Sequence, residues 1–196
     1  MKPDNILEWI CSSKNNEELK GNYDQWASTY ELDIAEFWKK VPLKAAAMLS
    51  KYLASKQETI LDFGAGTGMV GVALSQLGFN DIIGIDISSG MLEKAGQTGV
   101  YKSLTCGSIL DETINIWKKV SGVVATGVFA ERHAGIAELK VIQSKLQSGG
   151  VFVFTVRQSF LAQLQPMLKP TQWTALNSEM MPIYDDPMYL LAYRKI

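Results

Sequence analysis

The sequence holds little of what metal centres, disulfide frameworks and charged interfaces are made from. Its 196 residues include two cysteines and one histidine. Cys11 and Cys106 lie far apart and outside any C-x-x-C spacing, which excludes a disulfide framework and a cysteine zinc site. With His133 the sole imidazole, no structural or catalytic metal is expected. Lys and Arg together number 19 against 20 Asp and Glu, so no excess charge is available to grip nucleic acid or an anionic membrane. Lys39-Lys40 and Lys118-Lys119 are isolated doublets rather than a basic stripe. The most apolar stretch, VSGVVATGVFA at 120–130, is too short and too glycine-broken to span a bilayer. The opening MKPDNILEWICSSKNNEELKG turns polar too soon for a secretory segment. The expectation is a reduced, cytoplasmic compartment with neither membrane nor nucleic acid as partner.

What is present describes one domain over 1–196, with 47% hydrophobic and 20% charged residues. The first 56 residues read as helical. Tyr23, Trp26, Tyr30, Ile34 and Phe37 recur at three- and four-residue steps, which lines them along one helix face. LKAAAMLSKYLASK, from Leu43, follows Pro42 and is rich in helix formers. From 57 onward strands and helices alternate. ETILDF, DIIGID, VYKSLTC, GVVATGV and VFVFTVR read as strands, and MVGVALSQLG, SGMLEKAGQTG (capped by Ser88 or Ser89) and GIAELKVIQSKLQSGG as helices. A weaker helix is expected around DETINIWKKV and another near 158–168. Such alternation is the mark of an α/β, doubly wound parallel sheet. The tail departs from it: TQWTALNSEMMPIY and MYLLAYRKI read as a strand pair, an antiparallel edge.

The chemistry begins at TILDFGAGTGMVG, which contains Gly66-x-Gly68-x-x-Gly71, a dinucleotide fingerprint when taken alone. A glycine turn after a first strand lets the backbone approach a ligand closely. Asp86 closes the next strand about 20 residues on, where a carboxylate accepts from both hydroxyls of a ribose. Any adenosine cofactor suits that pairing. A nicotinamide cofactor is disfavoured because a pyrophosphate at the helix N-terminus wants no acid nearby, and Asp62 is expected beside the loop. The long helical N-terminus and the lack of room for a substrate domain point the same way.

ILDFGAGTG, GIDISSGML and LQSGGVFVFTVR resemble motifs of the class I S-adenosylmethionine (SAM)-dependent methyltransferases. More narrowly, YDQWASTYELD and GVFAERHAG resemble the small methyltransferase-like proteins of the Williams–Beuren-region group, over roughly Tyr23 to Arg157. The resemblance implies a Rossmann-like seven-stranded sheet of order 3-2-1-4-5-7-6 with strand 7 antiparallel, covered by an N-terminal helical lid. SAM would be the cofactor and S-adenosylhomocysteine (SAH) the product.

The resemblance also implies roles. Gly64, Ala65, Gly66, Thr67 and Gly68 would pack against the methionine part of SAM, and Asp62 would orient its ammonium directly or through water; a buried acid bonded only to the loop backbone is the alternative. Asp86 would hold the ribose, with Ile87 on the adenine and Met91 nearby. In CGSILD, Ser108 stands where many relatives carry an aspartate that accepts from the adenine amino group; a hydroxyl accepts the same bond more weakly, beside Gly107 and the Ile109 N–H. Tyr23, Trp26 and Tyr30 would form the lid, their rings facing the sulfonium; core packing is the alternative. Thr126 and Gly127 would border the cavity, and His133, after strand 4, would be the base on the acceptor, or a loop histidine bonded to backbone. Glu131, Arg132 and Arg157 sit near the same rim; Arg157 would meet an acidic substrate or cap strand 5. A small-molecule acceptor is expected, on a monomer or homodimer. Protein or peptide methylation, a non-catalytic SAM/SAH-binding regulator and a nicotinamide enzyme are the alternatives. Base methylation is disfavoured, since ATGVFAE stands where some amino-group methylases carry Asn/Asp-Pro-Pro-Tyr/Phe.

Overall fold

Residues 59–63, TILDF, bury four of their five side chains, the pattern of a strand covered on both faces. They form β1 (Thr59–Phe63), an interior strand of a seven-stranded sheet. The computed structural model describes residues 6–196. The other strands are β2 (Ile82–Asp86), β3 (Ser103–Cys106), β4 (Val120–Phe129), β5 (Val151–Arg157), β6 (Trp173–Met181) and β7 (Met188–Lys195). Their order is β3-β2-β1-β4-β5-β7-β6, and β7 runs antiparallel to both neighbours. This is the expected order, closing edge included.

Period-two alternation sends neighbouring residues to opposite faces. Ile60, Val124 and Val153 join one core, and Leu61, Val123 and Phe152 the other. Helices α5 (Met69–Gln76), α6 (Ser89–Gln97), α7 (Ile136–Lys145) and α8 (Gln158–Leu164) connect the strands. Ahead of the sheet come α1 (Ile6–Cys11), α2 (Asn16–Trp26), α3 (Tyr30–Trp38) and α4 (Lys40–Tyr52). Residues 1–5, part of the stretch expected to be helical, lie outside the described residues.

Three local expectations are corrected. The aromatic series from Tyr23 to Phe37 is not one helix: the chain breaks after Trp26, where the Trp26 Nε1–H and the Thr29 hydroxyl both donate to Asp33 Oδ2 at 2.8 Å. Helix α4 starts at Lys40, leaving Pro42 in the first turn, where its missing N–H has no intrahelical acceptor to lose. No helix forms over 111–119. Asp111 Oδ1 accepts from the Thr113 N–H at 2.9 Å and from its hydroxyl at 2.7 Å, satisfying the backbone locally in a turn.

Sheet order reverses between β1 and β4, which opens a crevice at their C-terminal ends. The loop after β1 is pinned there, Gly64 and Ala65 donating to the Ile85 carbonyl at 2.9 and 3.1 Å.

Candidate functional site

Gly64 (φ 71°), Gly66 (φ 54°) and Gly68 (φ 93°) all adopt left-handed backbone, which other residues enter with strain. A Cβ on Gly64 would stand 2.3 Å from Val128 Cγ2 of β4, so this turn admits glycine alone. Gly71, the third glycine of the apparent dinucleotide fingerprint, has another cause: a Cβ there would stand 2.3 Å from the Tyr101 ring. Tyr101 fills the space beneath the loop and donates to Asp62 Oδ2 at 2.6 Å.

Asp86 ends β2 and faces the crevice. One carboxylate oxygen accepts from the Gly66 N–H and the other from the Ser88 N–H, each at 2.8 Å. A carboxylate offers about four lone-pair positions, so room remains for two more donors, the demand of a ribose diol. Burial raises the Asp86 pKa, and the backbone N–H groups of Ser88 and Gly66 work against that rise. Ile87 and Met91 line the same cavity, as do Gly107 and Ser108 after β3.

Helices α2 and α3 reach this cavity. Tyr23 and Tyr30 line it, while Trp26, 3% exposed, packs between them: its ring stacks on Tyr23 and meets Tyr30 edge-on at 4.7 Å. Both phenols stay protonated far above their ordinary range, through burial first and then neighbouring charge that includes Asp86. Asp24 ties α2 down, its Oδ1 accepting from the Ser88 hydroxyl at 2.6 Å and the Gly90 N–H at 2.8 Å. Asn16, Leu19 and Glu138 line the cavity, and Asp24 anchors α2 beside it; sequence reasoning singled out none of them. Asp24 lies inside the YDQWASTYELD motif, which was its available signal.

His133 closes the far end. Its Nδ1 lies 3.0 Å from the Glu131 carbonyl, which can only accept, so Nδ1 carries the proton. Its Nε2 is left with a lone pair, facing the Tyr23 hydroxyl at 3.1 Å. Burial lowers the His133 pKa, and the Glu131 carbonyl opposes that shift in part. The ring is therefore a neutral imidazole at neutral pH.

Other expected residues do not line the cavity. Asp62 is 1% exposed and points beneath the loop towards Tyr101. Burial pushes its pKa up to about 7, with the Tyr101 hydrogen bond opposing and Asp86 adding to the rise. It does not line the cavity in this structure. Ala65, Thr67, Gly68 and Ile109 also stand behind the lining, while Thr126 and Gly127 are part of it. No group of acids, His and Cys among the described residues is arranged to hold a metal.

A second cavity adjoins the first and shares Tyr23, Tyr30, Gly127 and His133 with it. All five residues of the aromatic series, Tyr23 to Phe37, line this second space in spite of the helix break.

Charge decides what the first cavity fits. Among the described residues its lining includes two carboxylates, Asp86 and Glu138, and no Lys or Arg. A dinucleotide pyrophosphate would meet repulsion there, whereas the cationic sulfonium and ammonium of SAM suit it. A family model described as a methyltransferase domain matches residues 37–188. The chain belongs to the methyltransferase-domain family. Human methyltransferase-like protein 27 is 35% identical over 94 residues, which are 47% of this chain and 38% of that one. This methyltransferase-domain protein thus matches well under half of that curated relative's length. Magnesium protoporphyrin IX methyltransferase from Synechocystis PCC 6803, solved with bound SAM, superposes with a TM-score of 0.72 at 15% identity, covering 96% of this chain and 94% of its own. The [4+2]-cyclase SpnF gives 0.72 at 13% identity, covering 93% and 97%. At these identities the likeness is one of fold. Helices α1 and α2 lie outside the range that the family model matches.

Proposed function

We propose that this chain is a SAM-dependent methyltransferase acting on a nucleophilic O, N or S atom of a small molecule. The observation that carries the reading is the junction: an acid-lined cavity and an aromatic one meet at a neutral histidine. SAM, when bound, supplies a methyl carbon already attached to a leaving sulfonium. The chain's part is orientation and proton removal, and prepaid orientation alone is worth about 7–11 kcal/mol in favourable cases. Asp86 and the glycine loop fix the cofactor end, while Tyr23 and Tyr30 roof the junction and exclude water. An acceptor entering the second cavity takes the place of the Tyr23 hydroxyl on His133 Nε2, which receives its proton.

A small acceptor is favoured over nucleic acid by the balanced charge, and over a protein by walls built largely from apolar and aromatic side chains. No helix among the described residues is long and apolar enough to cross a membrane. The two free, exposed cysteines suit the reduced cytoplasmic compartment that belongs to this proposal. One observation favours a second reading. Tyr23 occupies the lone pair of His133, as it would in a SAM- or SAH-binding regulator that never turns over.

The test is methyl transfer from isotope-labelled SAM over a panel of phenols, amines, thiols and acids. Turnover is expected, and His133→Gln should lower kcat about 100-fold, the lower end for general-base catalysis, with SAM affinity within about twofold. In the wild type, kcat should fall on the acid side with a midpoint below the ordinary histidine value of about 6.5, and the variant should lack that limb. SAM binding without turnover on any panel member would favour the regulator.

A further inference from the structure

The second cavity carries an inference about the acceptor itself, resting on the reading of the first cavity as the SAM site. Much of its wall is apolar, with Ile34, Phe37 and Trp38 from α3 and Val156 and Phe160 from the sheet side. One cation lines it, Arg157 at the end of β5. The guanidinium lies over the Tyr184 ring, 4.2 Å from its centre. Among the described residues no carboxylate stands within ion-pair distance of Arg157.

Two neighbouring acids are otherwise placed. Asp186 accepts from the Ser159 N–H at 3.2 Å and its hydroxyl at 2.6 Å. Glu131 also lines the cavity, but its residue is exposed at the rim. A half-buried guanidinium with one face on a ring and no carboxylate in its fork is matched by a planar, bidentate anion. The rings beside it are matched by a flat apolar body. At the other end of the same cavity, His133 waits for a proton.

We propose that the acceptor is a small aromatic carboxylate carrying a hydroxyl group. Its carboxylate rests on Arg157, its ring lies among Phe37, Trp38 and Phe160, and its hydroxyl reaches the Tyr23–His133 junction. A lone pair of the hydroxyl oxygen forms the new C–O bond as the methyl C–S bond breaks. The sulfur keeps that electron pair, giving SAH, and the hydroxyl proton passes to His133 Nε2.

The experiment is calorimetry on SAH-saturated protein, with SAH binding measured first. The probes are 4-hydroxybenzoate and 4-hydroxyphenylacetate, their carboxamides, and tyramine as the cationic counterpart. The acids are expected to bind about tenfold or more tightly than their amides. Arg157→Gln should erase that preference while leaving SAH affinity within about twofold, and Arg157→Lys should restore part of it. With SAM in place of SAH, mass spectrometry should find the acids methylated on oxygen. If SAH binds but the acids gain nothing over their amides, or tyramine binds best, or no probe binds, the aromatic-acid proposal is overturned and the SAM reading stands. Persistence of the preference in Arg157→Gln overturns the role of Arg157. Failure to bind SAH removes the underlying reading instead.

Discussion

Two aspartates, one on each of two adjacent strands, are placed in opposite settings by where their side chains point. Asp86 faces the crevice with acceptor capacity to spare, whereas Asp62 is sealed under the glycine loop against Tyr101. Asp62 Oδ1 has no hydrogen-bond partner among the described residues, and burial raises the carboxyl to about 7. In the unfolded chain it titrates near its ordinary value of about 3.9. The folded state thus binds the proton more tightly, so the stability it contributes is complete below about pH 4 and is lost as pH rises through about 7. Thermal unfolding of the wild type and Asp62→Asn between pH 4 and 8 checks this. The wild type should lose ground against the variant across that window, and a constant difference would contradict the burial argument. Asp62 also shows the reach of sequence reasoning at this scale. The motif located the acid and the loop, but the direction of the side chain depends on Tyr101, 39 residues away and unmarked by any pattern.

Among the elements, α2 is held over the site chiefly from one side. Asp24 accepts from both the Ser88 hydroxyl and the Gly90 N–H, at the start of α6. Burial opposes ionisation of Asp24, but the donors at Ser88 and Gly90 outweigh it and its pKa falls. A Cβ on Gly90 would stand 3.1 Å from Asp24 Cα, so the glycine permits the close approach. Asp24→Ala should cost about 1 kcal/mol, at the low end for a charged acceptor because Asp24 is partly exposed. Hydrogen exchange should speed up over 16–26 and stay unchanged over α4; equal protection in the variant would show that α2 docks by its aromatic face alone. Elements with strong period and caps were legible, α6 and its Ser88 cap among them. The stretch at 111–119 was not, because Asp111 and Thr113 satisfy one another in a turn. The aromatic series was right about its surface and wrong about its continuity, since side-chain bonds to Asp33 decide the break.

At the scale of the molecule, the alternation of strands and helices was enough for the parallel sheet, and the seven-strand order with its antiparallel β7 came from the family resemblance. Cofactor chemistry was legible for a physical reason: close backbone approach demands glycine, and a ribose demands an acid at the next strand end. The second cavity was not, because it exists only where α1 to α3 meet β4, β5 and the loop bearing Tyr184. That junction depends on contacts far apart in sequence, and no local pattern encodes it. Every functional role proposed for these residues depends on what the first cavity holds. Titration calorimetry of the full chain with SAM, SAH and NADH, repeated on Asp86→Ala, tests it most directly. The wild type should bind one SAM and one SAH per chain and no NADH, and Asp86→Ala should weaken SAM by about tenfold or more, as loss of a charged acceptor implies. Tight NADH binding without SAM binding, or SAM affinity unchanged in Asp86→Ala, would contradict the account.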